Sequence, residues 1–422
     1  MKFKPVRKMS VVLDLEGKPR NLGTLAWSSD ERRAYFEYSA EFIVAPLPMS
    51  PFNVKTNPGL IAAPRDPFDG LHGLFNDSLP DGWGRLLLDR RLQRAGIDHN
   101  LLTPLDRLSA IGKTGMGALA YIPELTNDET KLAGDIDLDW FVEQVDLVKS
   151  EMDIADIDTL QGAQGGSAGA RPKIMIGFSK AQNTFVLDYG QAMEPGFEQW
   201  MIKARGLGDP VDIGAEEQAY ALMARAAGLD MAETRLFDTK KGNRLFATKR
   251  FDRTPAGRLH MHTASGILNA SHREASLNYG QLHKLTLMMT RDSSEVLRMF
   301  RRMVFNVYSR NRDDHAKNHA FLMTGDGRWT LSPAYDLTFS SGPGGEHSAD
   351  VAGEGREPGM QHLLTISREA SIPDPDAKDI IDEVRTSIEQ WPLFAEKAGL
   401  SKSRTNELDR RLNQGRPGTA SQ

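Results

Sequence analysis

The side chains best suited to chemistry are concentrated in NVYSRNRDDHAKNHAFL, residues 306–322. Two aspartates, two histidines, a lysine and three asparagines lie there between apolar flanks. Asp313 and Asn318 have the spacing D-x-x-x-x-N, and WTLSPAYDLTF places a second carboxylate, Asp336, after a short predicted strand. Two carboxylates and an amide carbonyl are hard oxygen ligands of the kind that Mg²⁺ takes together with nucleotide phosphates. The stretch therefore predicts Mg²⁺-assisted phosphoryl transfer.

The D-x-x-x-x-N spacing is that of a protein-kinase catalytic loop, in which the aspartate accepts the hydroxyl proton and the asparagine holds Mg²⁺. Kinases keep their other parts in a fixed chain order. This sequence has a glycine-rich loop, a strand lysine, a helix with glutamate, the D-x-x-x-x-N loop and a second aspartate in that order. The order predicts a kinase that uses Mg²⁺ and ATP.

The glycine-rich loop is QGAQGGSAGARPK, residues 161–173, directly before the predicted strand IMIGF. It does not match GxGxxG, and a loop of this composition is often only flexible. Beside a strand, however, backbone amides without side chains can close on phosphate oxygens. The strand lysine is Lys203 in QWMIKAR, and taken singly it also fits a strand end that reaches solvent.

Another phosphate-binding candidate, SAIGKTGMGAL, fails the Walker A pattern because the required first glycine falls at Arg107. We predict a glycine-bearing hairpin there that leads into ALAYI.

Two other interpretations of the polar stretch stay open. His315 and His319 are four residues apart, as zinc ligands on a helix are, but Ala-Lys-Asn between them lacks the glutamate of H-E-x-x-H. A second pair, His260 and His262, has no acidic or cysteine partner nearby in the sequence. In the purely structural alternative, an N-capped helix uses the aspartate and asparagine side chains to satisfy turn amides, which explains only part of the polar set.

Three units are predicted to position these residues: 1–125, rich in β-strands; 140–255, with the glycine-rich loop and further strands; and 256–422, mainly helical. MSVVLDLEGKPRNLGTLAW predicts a hairpin, and GWGRLLLDRRLQRAGI a helix with Leu86, Leu87 and Leu92 facing inward. A break is predicted near PELTNDETKLAGDIDLD, and residues 340–359 are predicted to form a mobile loop rich in glycine, serine and proline. The fold class is α+β.

Composition excludes several classes of protein. The 422 residues contain no cysteine, which excludes disulfides, thiolate metal sites and a cysteine nucleophile. A formal charge of -5 gives no global attraction to nucleic acid or membrane. The start of the chain is basic, but its apolar run is interrupted at Asp14, so it lacks the apolar core of a signal peptide. No apolar run in the sequence approaches the ~20 residues of a membrane span. We therefore expect a cytoplasmic protein with no membrane partner.

The sequence resembles the HipA family of toxins, serine/threonine kinases with a divergent kinase-like fold from bacterial toxin–antitoxin modules. The resemblance extends over nearly the whole chain. It rests on FNDSLPDGWGR, GMGALAY, GGSAGARPK, EEQAYALMARAAGL and KRFDR, and above all on NRDDHAKNHAFL followed by LSPAYDL.

The resemblance implies a role for each matching residue. Asp313 would be the catalytic base, Asn318 and Asp336 would bind Mg²⁺, and Lys203 would contact the ATP phosphates. The expected helix partner of Lys203 is Glu217, judged from its spacing to Tyr220. The nucleotide would also be contacted by His315, Tyr335, the hinge from Lys249 to Phe251, and the loop residues Gly166, Ser167, Ala168, Gly169 and Ala170.

One departure concerns regulation. Members of this family can be inactivated by autophosphorylation of a serine in the glycine-rich loop, but the aligned position here is Gly166, with Ser167 one residue later. Self-inactivation of this chain is therefore in doubt.

The resemblance also implies partners. A growth-arresting kinase would phosphorylate a translation component such as an aminoacyl-tRNA synthetase, and a small helix-turn-helix antitoxin would restrain it and carry it to operator DNA. The alternative is a catalytically idle scaffold that acts as a co-repressor. The basic runs DRRLQR (89–94) and KSRTNELDRRLNQGR (402–416) could add DNA phosphate contacts or be solvated helix faces.

Overall fold

The computed structural model describes residues 4–413 except 95, 99–100, 125–134, 151, 153–155, 167–168, 272–273 and 275–276. The predicted α+β class is confirmed, with strands dominating the first part of the chain and helices the last. Most of the break predicted near PELTNDETKLAGDIDLD lies outside the described residues. Among the described helices, none is both long and apolar enough to cross a bilayer.

The first sheet has five antiparallel strands in the order β4-β3-β2-β1-β5. These strands are β1 (Lys8–Leu15), β2 (Lys18–Ser28), β3 (Arg33–Tyr38), β4 (Ile61–Ala62) and β5 (Leu119–Ile122). Along β1, alternate residues from Met9 to Leu15 are buried, as expected for a strand with one face on a core. The predicted hairpin is confirmed, because β1 and β2 are joined by the two-residue turn Glu16–Gly17.

Four helices lie between β3 and β5 in the chain: α1 (Ala40–Val44), α2 (Gly73–Asn76), α3 (Gly82–Arg94) and α4 (Pro104–Ile111). The predicted helix α3 is present, but Leu86 is 41% exposed and does not face inward. Instead α3 buries Trp83, Leu87 and Leu88. Leu87 is four residues after Trp83, so the two side chains lie on the same face of the helix, which is the buried one.

The hairpin predicted in SAIGKTGMGAL is wrong. Residues 109–111 end α4, which Thr103 begins with a capping box to Asp106 and Pro104 in the first turn. These are helix-start signals in the sequence that outweigh the glycines after residue 111.

The second sheet is also antiparallel, in the order β7-β6-β8-β10-β9. Its strands are β6 (Lys173–Ser179), β7 (Thr184–Leu187), β8 (Phe197–Lys203), β9 (Thr234–Asp238) and β10 (Arg244–Lys249). The helices of this part are α5 (Leu138–Lys149), α6 (Ile157–Ala163) and α7 (Ile213–Ala226). Helix α7 connects β8 to β9 and packs on β9 and β10. The sheet therefore fixes α7 relative to the end of β8.

The remaining chain contains short strands and seven helices among its described residues. The strands are β11 (Arg253–Thr254), β12 (Gly257–Arg258), β13 (His260–Thr263), β14 (Ala320–Met323) and β15 (Trp329–Leu331). The helices are α8 (Ala264–Leu268), α9 (Tyr279–Thr290), α10 (Ser293–Tyr308), α11 (Met360–Glu369), α12 (Asp374–Glu389), α13 (Trp391–Lys397) and α14 (Lys402–Asn413). Helix α10 packs on α9 and α12, and β13, β14 and β15 form a small sheet.

Two hydrophobic clusters form the interior. One joins the inner face of the first sheet to the C-terminal helices, and it includes Phe36, Tyr220, Phe300 and Trp391. The other joins the second sheet to α5 and α6, and Trp83 of α3 contributes to it. Side chains of the first part of the chain enter both clusters, so the clusters do not correspond to the three units predicted from the sequence. The division into three units therefore stays a prediction.

A buried ionic cluster ties the first part of the chain to the segment after β10. Asp252 accepts hydrogen bonds from Arg250 Nη2 at 2.9 Å, Arg253 Nη1 at 2.7 Å and the Gly117 backbone N–H at 2.7 Å. Burial opposes ionisation, but Arg250 and Arg253 hold the pKa of Asp252 well below its usual range. The loop before β5 is therefore fixed against the predicted hinge.

Candidate active site

Lys203 is the last residue of β8, and its ammonium group lies between two carboxylates. Nζ is 2.9 Å from Glu217 Oε1, and it also donates a hydrogen bond to Asp336 Oδ1. The Lys203 side chain is 7% exposed, so water does little to screen these contacts. Burial lowers the pKa of this ammonium, but the charges of Asp336 and Glu217 more than compensate and raise it above its usual value. Lys203 is therefore a fixed cation and not a strand end in solvent.

Two adjacent glutamates on α7 have separate partners. Glu217 contacts Lys203, and its Oε1 also accepts a hydrogen bond of 2.8 Å from Arg171 Nη1. Glu216 instead pairs with Arg404 Nε of α14 at 2.8 Å. Consecutive helical residues point in different directions, so only one of the two can face β8. The structure brings Glu217 and Lys203 together and uses Glu216 to hold the C-terminal helix.

Asp336 follows β15 in the segment LSPAYDL. Its backbone is left-handed, with φ of 56°, which is an uncommon conformation for a residue with a side chain and one that concentrates at functional sites. Burial opposes ionisation, but Lys203 and Lys173 hold the pKa of Asp336 well below its usual range. The cations therefore favour the anionic form of Asp336.

Asp313 lies in the loop between α10 and β14. More than half of its side chain is exposed, and His315 Nε2 is 3.7 Å from its Oδ1. The Asn318 side-chain amide donates a hydrogen bond of 2.6 Å to the Asp313 carbonyl, which joins the two ends of the motif. Although the side chain is half exposed, partial desolvation of its carboxyl group by the surrounding protein raises the pKa of Asp313; His315 opposes this effect and the nearby charge of Asp336 adds to it. The result is a carboxylate that is more basic than an ordinary aspartate.

The neighbouring Asp314 is buried and has a structural role. It accepts hydrogen bonds from Tyr279 Oη, His347 Nδ1 and the backbone N–H groups of Ser348 and Ala349, at 2.8 to 3.2 Å. These bonds attach residues 347–349, at the centre of segment 340–359, to the Asp313 loop. A mobile loop, as predicted for the whole segment, would not be expected to have its centre bonded in this way. The motif gave no sign of these partners, because they lie 33 to 35 residues away in the chain.

Two aromatic residues from distant segments meet: Phe251, which follows β10, and Tyr335, which directly precedes Asp336. The rings of Phe251 and Tyr335 are 5.6 Å apart at 36°, and Tyr335 Oη donates to the Lys317 carbonyl. Lys249, the last residue of β10, has a different environment. Its side chain pairs with Glu198, and its backbone N–H donates to the Glu233 carbonyl at 2.8 Å. The structure thus brings Phe251 to Tyr335 and directs Lys249 toward surface carboxylates.

The glycine-rich loop is docked against the start of α3. The Gly169 backbone N–H donates to Asp81, and the Gly169 carbonyl accepts from the Trp83 N–H at 3.3 Å. Gly166 has φ of 63°, and a Cβ there would be 2.8 Å from the Ser78 carbonyl oxygen. A serine at this position would therefore be strained and crowded in this conformation. Ala170 is exposed, and Ser167 and Ala168 lie outside the described residues.

Two cations of this loop region were not singled out from the sequence. Lys173 pairs in register with Lys203 across β6 and β8, and a Cβ on Gly169 would be 2.5 Å from its Nζ. Burial and the charge of Lys203 lower the pKa of Lys173 to about 8. Arg171 joins the cluster through Glu217. The sequence signal that could have identified Lys173 is its position at the start of a strand, directly after the glycine-rich loop.

The histidines proposed as zinc ligands have other partners. His262 contacts Asp77 at 2.6 Å and Ser50, His260 contacts the Met49 carbonyl, and His319 contacts the Asp314 carbonyl. Within the described parts of the chain, no three His, Asp or Glu side chains converge as a metal-binding group. The zinc interpretation has no structural support in those parts.

The donor set does fit a cation shared with phosphates. Because Asn318 uses its amide nitrogen to bind the Asp313 carbonyl, its side-chain oxygen is left as the acceptor. The side chain of Asp336 is 31% exposed and anionic. A carboxylate and an amide oxygen are hard ligands, and Mg²⁺ in nucleotide sites is held by only one or two carboxylates plus phosphate oxygens.

The two basic runs are partly used inside the fold. Arg91 of α3 pairs with Asp158 and is 16% exposed, and Arg404 of α14 pairs with Glu216. Neither run is therefore only a solvated helix face, although Arg410 and Arg411 at the end of α14 are exposed.

Two models of one protein family match this chain. A family model described as the HipA-like C-terminal domain matches residues 165–391, and one described as the HipA N-terminal domain matches residues 14–122. The structure of Shewanella oneidensis HipA, solved in complex with HipB and operator DNA, matches with a TM-score of 0.69 and 16% sequence identity. That match covers 95% of each chain, and it shows a shared fold.

A Sinorhizobium fredii protein named "Putative kinase Y4dM" is 31% identical over 139 residues. The aligned part is 29% of this chain and 34% of the relative, so the match spans about a third of that protein's length.

Proposed function

This chain belongs to the HipA family, and from that premise we propose that it is a cytoplasmic Mg²⁺- and ATP-dependent serine/threonine protein kinase that arrests growth. The observation that carries the proposal is the contact of Lys203 with both Glu217 and Asp336. A strand lysine, a helix glutamate and an aspartate after the catalytic loop are the three charges that kinases assemble around nucleotide phosphates.

Each side chain has a task in this proposal. Lys203, oriented by Glu217, donates to nucleotide phosphate oxygens. Asp313, whose pKa is raised by partial desolvation, accepts the proton of the substrate hydroxyl as that oxygen attacks the terminal phosphorus of ATP and the bond from this phosphorus to the leaving ADP breaks. His315, 3.7 Å from Asp313, tunes that carboxylate and lies beside the nucleotide. The geometry supports general-base help together with electrostatic stabilisation of the transferred group.

Asp336 and Asn318 are the residues that would hold Mg²⁺. When bound with the nucleotide, Mg²⁺ neutralises phosphate charge and orients the terminal phosphate. Phe251 and Tyr335 would enclose the base of ATP, with the chain from Lys249 to Phe251 as the hinge. In the glycine-rich loop, the amides of Gly166 and Ala170 would lie near the phosphates, whereas the Gly169 amide is bonded to Asp81. The nucleotide contacts expected for Ser167 and Ala168 stay predictions.

Partners are proposed by analogy with the relatives. Because Shewanella HipA was solved with HipB and operator DNA, we expect this chain to bind a small helix-turn-helix antitoxin and to reach DNA through it. The substrate would be a protein of translation, such as an aminoacyl-tRNA synthetase.

The direct test is a phosphoproteome recorded after induction of the wild type and of Asp313→Asn. The wild type should add phosphate to serine or threonine of one or a few proteins, and Asp313→Asn should lower that transfer by several orders of magnitude. Purified Asp313→Asn should still bind ATP, whereas Asp336→Asn should bind Mg²⁺-ATP more weakly. Asp382→Asn, on the surface of α12, is the matched control and should behave as the wild type. Equal phosphorylation by Asp313→Asn would refute the kinase proposal and favour the co-repressor scaffold.

A further inference from the structure

A cavity of about 1050 Å³ lies between the first sheet, the start of α3, α4 and the Asp313 loop. Its walls include Arg32 from the β2–β3 turn, Arg65 from the segment after β4, Asp81 before α3, and Lys317 from the catalytic loop. Lys203, Glu217 and Asp336 do not line it, so it is separate from the charged triad. The volume is at the upper end of the roughly 300–1000 Å³ range of ligand pockets.

One ion pair connects this cavity to both functional loops. Asp81 Oδ2 accepts a hydrogen bond of 3.1 Å from Lys317 Nζ, and Asp81 Oδ1 accepts from the Gly169 backbone N–H. Lys317 is one residue from Asn318, and its side chain is 5% exposed. The cavity therefore ends where the glycine-rich loop and the catalytic loop meet. A molecule in it lies beside the ion pair that links these two loops.

The charges of the lining indicate the class of ligand. Six basic and five acidic side chains line the cavity. Among the described residues, Arg32 and Arg65 have no carboxylate within ion-pair distance, and both are exposed. Asp30 and Asp69, also exposed, stand on the same wall. A nucleic acid backbone needs a clear excess of positive charge, and interleaved carboxylates repel phosphates. A polypeptide can match both signs.

We propose that this cavity is the docking groove for an extended segment of the protein substrate, with acidic side chains of that segment bound by Arg32 and Arg65. The proposal rests on the kinase function proposed above. The segment lies between the first sheet and α3 and α4, and its serine or threonine reaches Asp313 past the Asp81–Lys317 pair. The N-terminal part of the chain thus takes part in choosing the substrate.

The test reverses the charges of Arg32 and Arg65. Arg32→Glu/Arg65→Glu is compared with Lys284→Glu/Lys378→Glu, which changes charge equally at exposed positions of α9 and α12. Binding of a fluorescent ATP analogue is measured for each purified protein, and the phosphoproteome is recorded after induction of each. We expect all to bind the nucleotide alike. The groove variant should lose at least tenfold in phosphorylation at the wild-type sites, and those sites should have acidic neighbours.

The possible failures are distinguishable. Phosphorylation of the same sites at the wild-type rate by the groove variant overturns the docking proposal and leaves the kinase proposal intact. No difference between the wild type and Asp313→Asn overturns both. Ultraviolet cross-linking of the purified wild type to an RNA or single-stranded DNA pool, lost in the groove variant only, would make the ligand a nucleic acid and overturn the polypeptide assignment.

Discussion

Lys203 Nζ and Glu217 Oε1 are 2.9 Å apart, so the end of β8 is fixed to the middle of α7. An ammonium group has three N–H donors. Lys203 can therefore keep Glu217, contact Asp336 and still offer a donor to a phosphate oxygen. The pair also sets the direction of the side chain, which saves part of the entropy that a free lysine would lose on binding a nucleotide.

Glu217→Gln should lower kcat/KM for phosphoryl transfer by about 10- to 100-fold, because a charged hydrogen bond contributes roughly 1.5–3 kcal/mol. The folded protein should persist, since glutamine keeps the volume and one acceptor. The measurement is steady-state phosphorylation of the substrate identified after induction.

The adjacent Glu216→Gln is the matched control. Glu216 is buried against Arg404 and has no contact with Lys203, so its loss should lower thermal stability and leave kcat/KM within about twofold of the wild type. If Glu216→Gln lowered kcat/KM and Glu217→Gln did not, the assignment of Glu217 as the partner of Lys203 would be wrong.

The acid limb of the pH–rate profile should report Asp313. A base with a raised pKa loses its activity at a higher pH than an ordinary aspartate does, because it takes up a proton earlier as the pH falls. His315 lowers the pKa of Asp313, so His315→Gln should move the acid limb of kcat/KM further toward neutral pH.

His362→Gln, at the start of α11, changes a histidine away from Asp313 and should leave the acid limb in place. A shift of the limb to lower pH in His315→Gln would contradict the assignment of Asp313 as the base.

Local patterns predicted the residues of the site better than their tertiary partners. Asp313, Asn318 and Asp336 could be selected as candidates because kinase chemistry fixes their order and spacing. Lys203 was selected through the family resemblance, and the roles of all four residues stay predictions. The Asp81–Lys317 pair could not be found, since its members are 236 residues apart and only tertiary packing of the segment before α3 against the catalytic loop brings them together. Leu86 was wrongly placed for a related reason: periodicity shows that a helix is amphipathic, but the neighbouring sheet decides which residues are covered.

The ionic cluster around Asp252 gives a prediction about stability. Asp252→Asn leaves Arg250 and Arg253 buried without their shared anion, and breaking a buried pair in this way costs about 3–5 kcal/mol. The pKa of Asp252 is depressed in the folded protein, so its contribution is present above the unfolded pKa and is lost as the pH falls through the folded one. Denaturant titrations at neutral pH should show the loss.

Asp374→Asn removes the carboxylate of an exposed Arg–Asp pair and serves as the comparison. Its unfolding midpoint should not change measurably. Equal midpoints for Asp252→Asn and the wild type would show that the cluster does not hold the hinge segment to the loop before β5.

Affinity for operator DNA should come from the antitoxin. The chain has a formal charge of -5, and Arg91 and Arg404 in its two basic runs are engaged by Asp158 and Glu216. In gel-shift titrations at physiological salt, the chain alone should not retard its own promoter, and partner plus chain should retard it more tightly than the partner alone.

Each phosphate contact that the chain adds should steepen the dependence of log K on log salt by about 0.9. Arg410→Glu/Arg411→Glu removes the exposed charges at the end of α14, so a slope that stays the same in this variant means that α14 makes no such contact. Strong, sequence-specific retardation by the chain alone would instead make this protein a DNA-binding repressor in its own right.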